Sequence, residues 1–449
     1  MLPLQILFII FLPTAAARRH PPNDLSFPNH HLLQSNAFPV VDTISFTPTA
    51  PSSVSPTIPQ LKSRSTTVYR PDSLDALHQY RLRSLHHSQS EADQLRWNPT
   101  EVQGPDIEDR HTLAQLARMA GNAYALPGQK NWYEIDEAWN MSFPFGWEES
   151  EGFRGHVFLS SDNSTIVLSI KGTTLQGPTS KLDKYNDNLL FSCCCARVDF
   201  SWIFRTVCDC YAKNWRCDSR CLTDALIQDS LFYSIGVKLV DDLLHIYPGS
   251  NVWLVGHSLG GALASLLGAT YGLPAVAFES PGERLAANRL HLPLPPPPHS
   301  ESNLTYSALD HRPIATTHVY HTADPIPQGA CTGFNSPCAQ AGYALETRCH
   351  LGKTIVFDTV GKLGWAVDVR KHVIRDVVLQ VLERDEVEWD EDGDEGGYWW
   401  PGKRRDKDTK AKKPGPRRGR DVPRAKVEKN CVDCYKWKFG DFKDKPVDL

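Results

Sequence analysis

This 449-residue sequence has little net charge, and its N-terminal apolar run is short. The formal net charge is only −4, which does not favour nucleic acid or an acidic macromolecule as a partner. The N-terminal apolar stretch Leu2–Ala17 would extend about 24 Å as a helix, short of the roughly 20 residues that a membrane span needs. Ala15–Ala17 would suit signal-peptide cleavage, so residues 1–19 are expected to be either a cleaved signal peptide or a short signal anchor, although no basic residue precedes the apolar run.

Histidine and zinc-ligand spacing are absent from residues 191–221, the segment richest in cysteine. The chain has 12 cysteines, an even number behind an apolar leader, so we expect disulfides in an oxidising lumen rather than a metal cluster. Three glycosylation sequons agree with a lumenal body: Asn140, Asn163 and Asn303. Because aromatic residues are interleaved with the cysteines, residues 191–221 are predicted to form a lid-like insertion.

Composition divides the chain into segments. Residues 20–98 are rich in Pro, Ser, Thr and His without periodicity, which predicts a stalk or low-order linker in which Leu74–Leu95 allows a short helix. The main folded domain is predicted over residues 99–384. Residues 385–430 are expected to be a charged, disordered linker. In the short tail 431–449, the Cys-x-x-Cys sequence allows either a redox pair or a small staple.

The central feature of the domain is a Gly-x-Ser-x-Gly pattern at residues 256–260. The apolar run Asn251–Val255 predicts a strand before it, and Leu259–Tyr271 predicts a helix after it. A strand, a tight glycine turn and a helix are the context of a nucleophile elbow, which projects a serine hydroxyl from the top of a sheet. Ser258 is therefore the candidate nucleophile.

An oxyanion site is predicted from two places in the chain. The backbone N–H after the nucleophile belongs to Leu259, at the start of the helix. The second donor in such hydrolases comes from a loop after an earlier strand. Thr165–Ile170 reads as that strand and runs into Lys171-Gly172-Thr173-Thr174, so Thr173 is the second candidate.

A serine nucleophile needs a base, which an imidazole held by a carboxylate supplies. Asp324 follows the strand-like Thr316–His321 and precedes a proline, so it is the candidate carboxylate. Only His350 and His372 come later in the chain. We favour His372 because a helix-like segment follows it, and His350 stays the alternative. Three other acids are less well placed: Asp310, Asp358 and Asp368.

The order of predicted elements, strand–helix–strand–elbow–helix–strand, favours an α/β-hydrolase fold with a mostly parallel central sheet flanked by helices. Three motifs resemble the class 3 (fungal triacylglycerol) lipases: Val255–Gly261, Ile170–Thr174 and His321–Pro327. The resemblance covers roughly Thr112–Glu383. Further segments are similar to the autophagy-related vacuolar lipases within this family: Cys331–Gly333, Arg348–Lys353 and Cys431–Gly440.

The resemblance implies that Ser258, Asp324 and His372 form a catalytic triad that needs no metal or cofactor. It implies phospholipids and neutral acylglycerols as substrates. It also implies a single-pass type II membrane glycoprotein with a lumenal catalytic domain, which travels to multivesicular bodies and the vacuole and lyses autophagic bodies there. Two alternatives remain open: a secreted lipase or esterase, and a catalytically silent, hydrolase-like membrane receptor.

Overall fold

The structure is a computed structural model. It describes residues 61–86, 95–139, 141–147, 152–175, 177, 179–194, 207–228, 232–296, 313–331, 336–384, 387–389, 420–429 and 431–442. All of these belong to one compact unit, Thr47–Leu449. The second unit, Met1–Phe46, lies outside the described residues and includes the expected signal peptide or anchor.

The described residues form eleven strands: β1 (Ser63–Pro71), β2 (Trp97–Pro105), β3 (Met141–Phe145), β4 (Gly155–Leu159), β5 (Thr165–Ile170), β6 (Arg216–Asp218), β7 (Asn251–His257), β8 (Ala275–Phe278), β9 (Thr316–His321), β10 (Lys353–Phe357) and β11 (Lys438–Gly440). The α-helices are α1 (Leu74–His86), α2 (Arg110–Asn122), α3 (Ser180–Phe191), α4 (Ser219–Gln228), α5 (Phe232–Ile246), α6 (Leu259–Tyr271), α7 (Arg284–Arg289), α8 (Pro337–Gln340), α9 (Thr359–Leu363) and α10 (Ile374–Asp376). Short 3₁₀ turns occupy Glu137–Trp139 and Val369–Lys371, and a π-helical stretch, Val377–Leu382, continues α10.

Seven strands form the central sheet, in the order β10-β9-β8-β7-β5-β4-β3. From β10 to β5 the neighbouring strands are parallel, whereas β4 and β3 complete the sheet by antiparallel pairing. The predicted, mostly parallel sheet flanked by helices is confirmed, and the strand–serine–helix unit at its centre is that of the α/β-hydrolase fold.

The helix after the elbow is built of small residues because it must lie very close to the sheet. Every residue of α6 is buried. A Cβ atom on Gly260 would lie 2.1 Å from the carbonyl oxygen of Ile170, and one on Gly256 would lie 2.3 Å from Gly260. Glycine is therefore required at both positions for strand and helix to approach this closely. On β7, Trp253 and Val255 join the hydrophobic core cluster that also contains residues of α2.

The expected low-order linker over residues 20–98 is wrong for its described part. Strands β1 and β2 pair antiparallel over nine residues each, and α1 lies between them in the sequence. The pair is joined to the main sheet, since the indole of Trp253 donates to Gln103 O at 2.7 Å. The sequence of this segment does not indicate strands because most of β1 is exposed or half-buried and therefore polar. Backbone hydrogen bonds between β1 and β2, rather than a buried apolar face, hold the pair together. The short helix predicted within Leu74–Leu95 is confirmed as α1.

The predicted domain boundary at residue 384 is also wrong. Trp389 is buried in the core, and its backbone N–H donates to Arg420 O at 3.0 Å. The segments on both sides of residues 390–419 therefore belong to the domain. Cys431 and Cys434 do not pair with each other. They form disulfides with Cys349 and Cys193, so the tail is covalently attached to two distant parts of the domain.

The prediction of disulfides is confirmed, and three further disulfides join cysteines that are close together in the sequence. Within the cysteine-rich segment, Cys194 pairs with Cys217 and Cys210 pairs with Cys221. Cys331 pairs with Cys338 in the segment that follows β9. Residues 195–206, which carry half of the aromatic residues of the predicted lid, lie outside the described residues.

Candidate active site

The candidate site lies at the carboxyl edge of the parallel strands. The ends of β5, β7, β8 and β9 are brought side by side by the register pairs Ile170 with Gly256, His257 with Phe278, and Phe278 with Val319. The loops that leave these ends therefore meet, as is typical of ligand sites in open α/β sheets.

Ser258 occupies the turn between β7 and α6. Its φ is +58°, a left-handed conformation that a residue with a Cβ atom adopts only under strain. Two backbone hydrogen bonds hold it: Ser258 N–H donates to Phe278 O at 3.0 Å, and Ser258 O accepts from Ala262 N–H at 3.1 Å. The predicted elbow geometry is thus present, with the serine at the first turn of a helix.

The three side chains predicted to act together lie in one chain of hydrogen bonds. His372 Nε2 lies 2.8 Å from Ser258 Oγ, and His372 Nδ1 lies 2.6 Å from Asp324 Oδ2. A carboxylate only accepts, so Nδ1 carries the proton and Nε2 presents its lone pair to the serine hydroxyl. Asp324 is fully buried, and its second oxygen accepts from Ile326 N–H at 2.9 Å.

Two histidines that the sequence analysis did not assign to the site hold the loop that carries His372. His257 Nε2 donates to the His372 carbonyl at 2.8 Å, and His321 Nε2 donates to the Lys371 carbonyl at 3.1 Å. Burial lowers the pKa of His257 to about 3, with the charge of His372 adding to the effect, and burial also lowers the pKa of His321. Both rings are therefore neutral donors. His257 and His321 are each the last residue of a strand that ends at the site, and this position could have identified them from the sequence.

Tyr124 completes this support by donating its hydroxyl to His257 Nδ1 at 2.9 Å. The arrangement leaves His257 a single tautomer, protonated at Nε2 and accepting at Nδ1. Nothing local in the sequence predicts the hydrogen bond from His257 to the backbone of His372.

The two predicted oxyanion donors belong to segments that are next to the serine. As the first residue of α6, Leu259 has a backbone N–H without an intrahelical acceptor. The loop carrying Thr173 comes very close to the elbow, since a Cβ atom on Gly172 would lie 2.2 Å from His257 O and 3.0 Å from Ser258 Cβ. Only glycine permits that approach.

Buried acids set the position of the Thr173 loop. The Thr173 hydroxyl donates to Asp187, and burial raises the pKa of Asp187 to about 8, with Asp183 nearby adding to the rise. Asp183 also accepts from Lys171 Nζ at 2.9 Å and from Thr174 N–H at 2.8 Å. These contacts fix the loop on α3 before any substrate arrives.

The alternative base, His350, lies in a different cluster. Its Nδ1 donates to Glu428 at 2.8 Å and its Nε2 donates to the Ser280 carbonyl at 3.2 Å. Among the other acids, Asp358 caps α9 and Asp368 caps the 3₁₀ turn before His372, while Asp310 lies outside the described residues.

In the described part of the chain, one group of side chains has the composition of a metal site: Glu283, His318 and His350. All three are buried. Because both nitrogens of His350 donate hydrogen bonds, that imidazole has no lone pair to offer an ion. The group is a buried hydrogen-bonded ion cluster rather than a metal centre.

Apolar side chains are exposed beside the candidate site. Leu175, two residues after Thr173, is 73% exposed, and Val373, next to His372, is 49% exposed. Asn163 lies exposed in the turn between β4 and β5, whereas Asn140 and Asn303 are outside the described residues. None of the helices in the described ranges is long and apolar enough to cross a membrane.

Comparison with known proteins supports one family. The family described as "Lipase (class 3)" matches residues 219–332. The protein "Putative lipase ATG15" of Cryptococcus neoformans var. neoformans is 46% identical over 385 residues, which cover 77% of this chain and 70% of that protein. The protein of the same name from Mycosarcoma maydis is 43% identical over 377 residues, covering 78% of this chain and 70% of that protein.

Solved structures of fungal lipases were also matched. Lip2 lipase from Yarrowia lipolytica is 17% identical with a TM-score of 0.29, covering 56% of this chain and 80% of that one. The identity and coverage of the ATG15 proteins are sufficient to assign the family. The chain therefore belongs to the class 3 lipases, in the group that contains the fungal ATG15 proteins.

Proposed function

We propose that this protein is a serine lipase that hydrolyses the ester bonds of phospholipids and acylglycerols. The observation that carries the proposal is the hydrogen-bonded chain from Ser258 through His372 to the buried Asp324, at the first turn of a helix. Membership of the class 3 lipases supports ester hydrolysis as the reaction.

In the acylation step, His372 Nε2 takes the proton from Ser258 Oγ as that oxygen attacks the ester carbonyl carbon. Asp324 keeps Nδ1 protonated and stabilises the imidazolium that forms. The negative charge on the carbonyl oxygen is stabilised by the backbone N–H groups of Leu259 and Thr173. When the tetrahedral intermediate collapses, His372 returns the proton to the leaving alcohol.

In the second step, a water molecule gives a proton to His372 and attacks the acyl-enzyme. The fatty acid leaves and the proton returns to Ser258. The two histidines that hold the backbone of residues 371 and 372 keep the imidazole in place through both steps. No metal or cofactor takes part.

A lipid substrate is supported by the exposed Leu175 and Val373, which give the mouth of the site an apolar rim. The disulfides support an oxidising compartment. With the likeness to ATG15 proteins, these features lead us to propose a lumenal glycoprotein of the vacuolar route that acts on autophagic and multivesicular body membranes, glycosylated at Asn163 and at the two other sequons.

The test is hydrolysis by the purified full chain of phosphatidylcholine vesicles and of emulsified triacylglycerol, measured as released fatty acid. We expect release by the wild type and a loss of at least about 10³-fold in Ser258→Ala, since the nucleophile is removed. Labelling with a fluorophosphonate probe, which reports an activated serine without any lipid, should also depend on Ser258.

A wild-type protein that binds vesicles but neither releases fatty acid nor takes up the probe would overturn the proposal. It would instead indicate a hydrolase-like protein that only binds membranes. Thermal unfolding of Ser258→Ala is the control, because a folded but inactive variant separates lost chemistry from lost structure.

A further inference from the structure

Glu279 is a buried acid beside the candidate site that the proposed mechanism leaves without a role. It directly follows β8, and its backbone N–H donates to Val319 O at 3.0 Å. Its exposure is 0% and its φ is +45°, a backbone conformation that disfavours residues with a Cβ atom. A strained, fully buried carboxyl group at the end of a central strand calls for a specific partner.

The partner of Glu279 is Asp324, with which its side chain forms a hydrogen bond. Glu279 Oε1 accepts from the His321 backbone N–H at 3.1 Å. Glu279 Oε2 accepts from no donor among the described residues. The His321 ring lies 3.7 Å from Oε1, but it is neutral and already donates to the Lys371 carbonyl. Within the described ranges, no cation is paired with Glu279.

Two carboxyl groups in contact inside a protein cannot both be ionised, so one of them holds a proton. Burial opposes the ionisation of Asp324, but His372, Glu279 and the Ile326 N–H outweigh it and lower the pKa of Asp324. For Glu279, burial first and then the charge of Asp324 raise the pKa well above its usual range. The proton therefore belongs to Glu279, and the titratable groups facing the pair are His257, His321 and His372.

We propose that Glu279 is a positioning residue of the active site, a neutral carboxylic acid that donates a hydrogen bond from Oε2 to the Asp324 carboxylate. The proposal rests on the proposed function. The bond orients Asp324 and draws off part of its negative charge, so Asp324 stabilises the imidazolium form of His372 less strongly. His372 then stays neutral, and able to act as a base, at more acidic pH.

Two variants of Glu279 test this directly. Glu279→Gln keeps a neutral donor, since its amide oxygen can accept from the His321 N–H and its NH₂ then faces Asp324. Glu279→Met keeps an unbranched side chain of similar length but removes the donor. The measurement is kcat/KM of the full chain on a water-soluble short-chain ester, followed by pH-stat across the acidic range.

We expect the acidic limb of the kcat/KM profile to stay in place in Glu279→Gln. In Glu279→Met it should move to higher pH by about half a unit or more, because Asp324 regains its full charge. If Glu279 were ionised in the native protein, both variants would remove a negative charge and the limb would move to lower pH. That result, or a folded Glu279→Met protein with an unmoved profile, would overturn the proposal.

The matched control is Glu283→Gln, the same substitution four residues along the chain. Glu283 is equally buried, but its partner is His318, whose Nε2 lies 2.9 Å away. This variant should lose thermal stability without moving the pH profile. Glu279→Ala is the second donor-less variant should Glu279→Met not fold. A wild type without Ser258-dependent hydrolysis would reject the proposed function itself and is recognised before any Glu279 variant is compared.

Discussion

The described residues contain two serine–histidine–carboxylate chains, which differ in what surrounds them. In the first, His372 joins Ser258 at 2.8 Å and Asp324 at 2.6 Å. In the second, His318 Nδ1 lies 2.8 Å from Ser280 Oγ, and its Nε2 lies 2.9 Å from Glu283. The residue types and the spacings are nearly the same in the two chains.

The surroundings separate a reactive arrangement from a structural one. The side chain of His372 is 16% exposed beside an apolar rim, and Ser258 directly precedes the 13-residue helix α6. His318 and Glu283 are 0% exposed and Ser280 is 1% exposed, so no substrate could reach that hydroxyl. Access and nearby backbone donors, rather than the three residue types, make a serine a nucleophile.

The difference between the two chains is tested most directly by replacing each histidine in turn. His372→Ala should lower kcat/KM by roughly 10⁴-fold or more with little loss of stability, because it removes the general base. His318→Ala should retain the hydrolysis rate of the folded protein but lower the free energy of unfolding by about 3 kcal/mol, because it leaves Glu283 buried without its partner.

Ester hydrolysis at 20 °C and chemical denaturation of both variants provide the measurements. A large loss of rate in His318→Ala, at a temperature where it is fully folded, would mean that the buried chain takes part in the reaction. An active His372→Ala would instead point back to His350 as the base.

The buried cluster of His350, Glu428 and Glu283 should also make the stability of the protein depend on pH. Burial opposes protonation of His350, but Glu428 and then Glu283 raise its pKa to about 9, from an ordinary value of 6.5. Because the folded value is the higher one, the stabilisation is fully present below about pH 6.5 and is lost as pH rises towards 9. Its size is up to about 3 kcal/mol.

Glu428→Gln should therefore be less stable than the wild type at pH 6, and the difference should shrink towards pH 9. Denaturant unfolding at several pH values measures it, with kcat/KM at pH 6 as the control for an intact active site. A difference that stays constant between pH 6 and 9 would mean that His350 is not protonated in the native protein.

The smallest expected effect concerns the loop opposite the elbow. Thr173→Val removes the hydroxyl that donates to Asp187, so the loop loses one of its contacts with α3 and kcat should fall about 10-fold to 100-fold. Thr173→Ser restores the donor and should stay close to the wild type. Equal rates in the two variants would show that the hydroxyl neither positions the loop nor contacts the oxyanion.

Much of the site could be predicted because its signals are local. The elbow at Ser258 needs glycine on both sides within five residues, and Asp324 and His372 each sit beside a recognisable element. The choice of His372 over His350 was less local, and only the hydrogen bonds of both rings distinguish their positions.

The parts of the fold that were not predicted depend on residues far away in the chain. Strand β1 is stabilised by pairing with β2, in which Pro71 pairs with Trp97 and Ser63 with Pro105, and β2 is in turn bonded to Trp253 of the main sheet. Neither periodicity nor composition marks β1. The tail is held by disulfides to cysteines 82 and 241 residues earlier. Long-range pairing leaves no local pattern in a sequence, which is why β1 was expected to belong to a low-order linker and the disulfide partners of the tail were not predicted.

Glycine turns and apolar periodicity act over a few residues, so the elbow, the parallel core and the order of serine, acid and histidine could be inferred from the residues alone. Which imidazole faces Ser258, and which is enclosed by Glu283 and Glu428, depends on how distant segments pack together. The same packing places Glu279 against Asp324. Burial and the contact of two carboxyl groups arise when strands separated in the chain become neighbours, and these contacts set where protons reside.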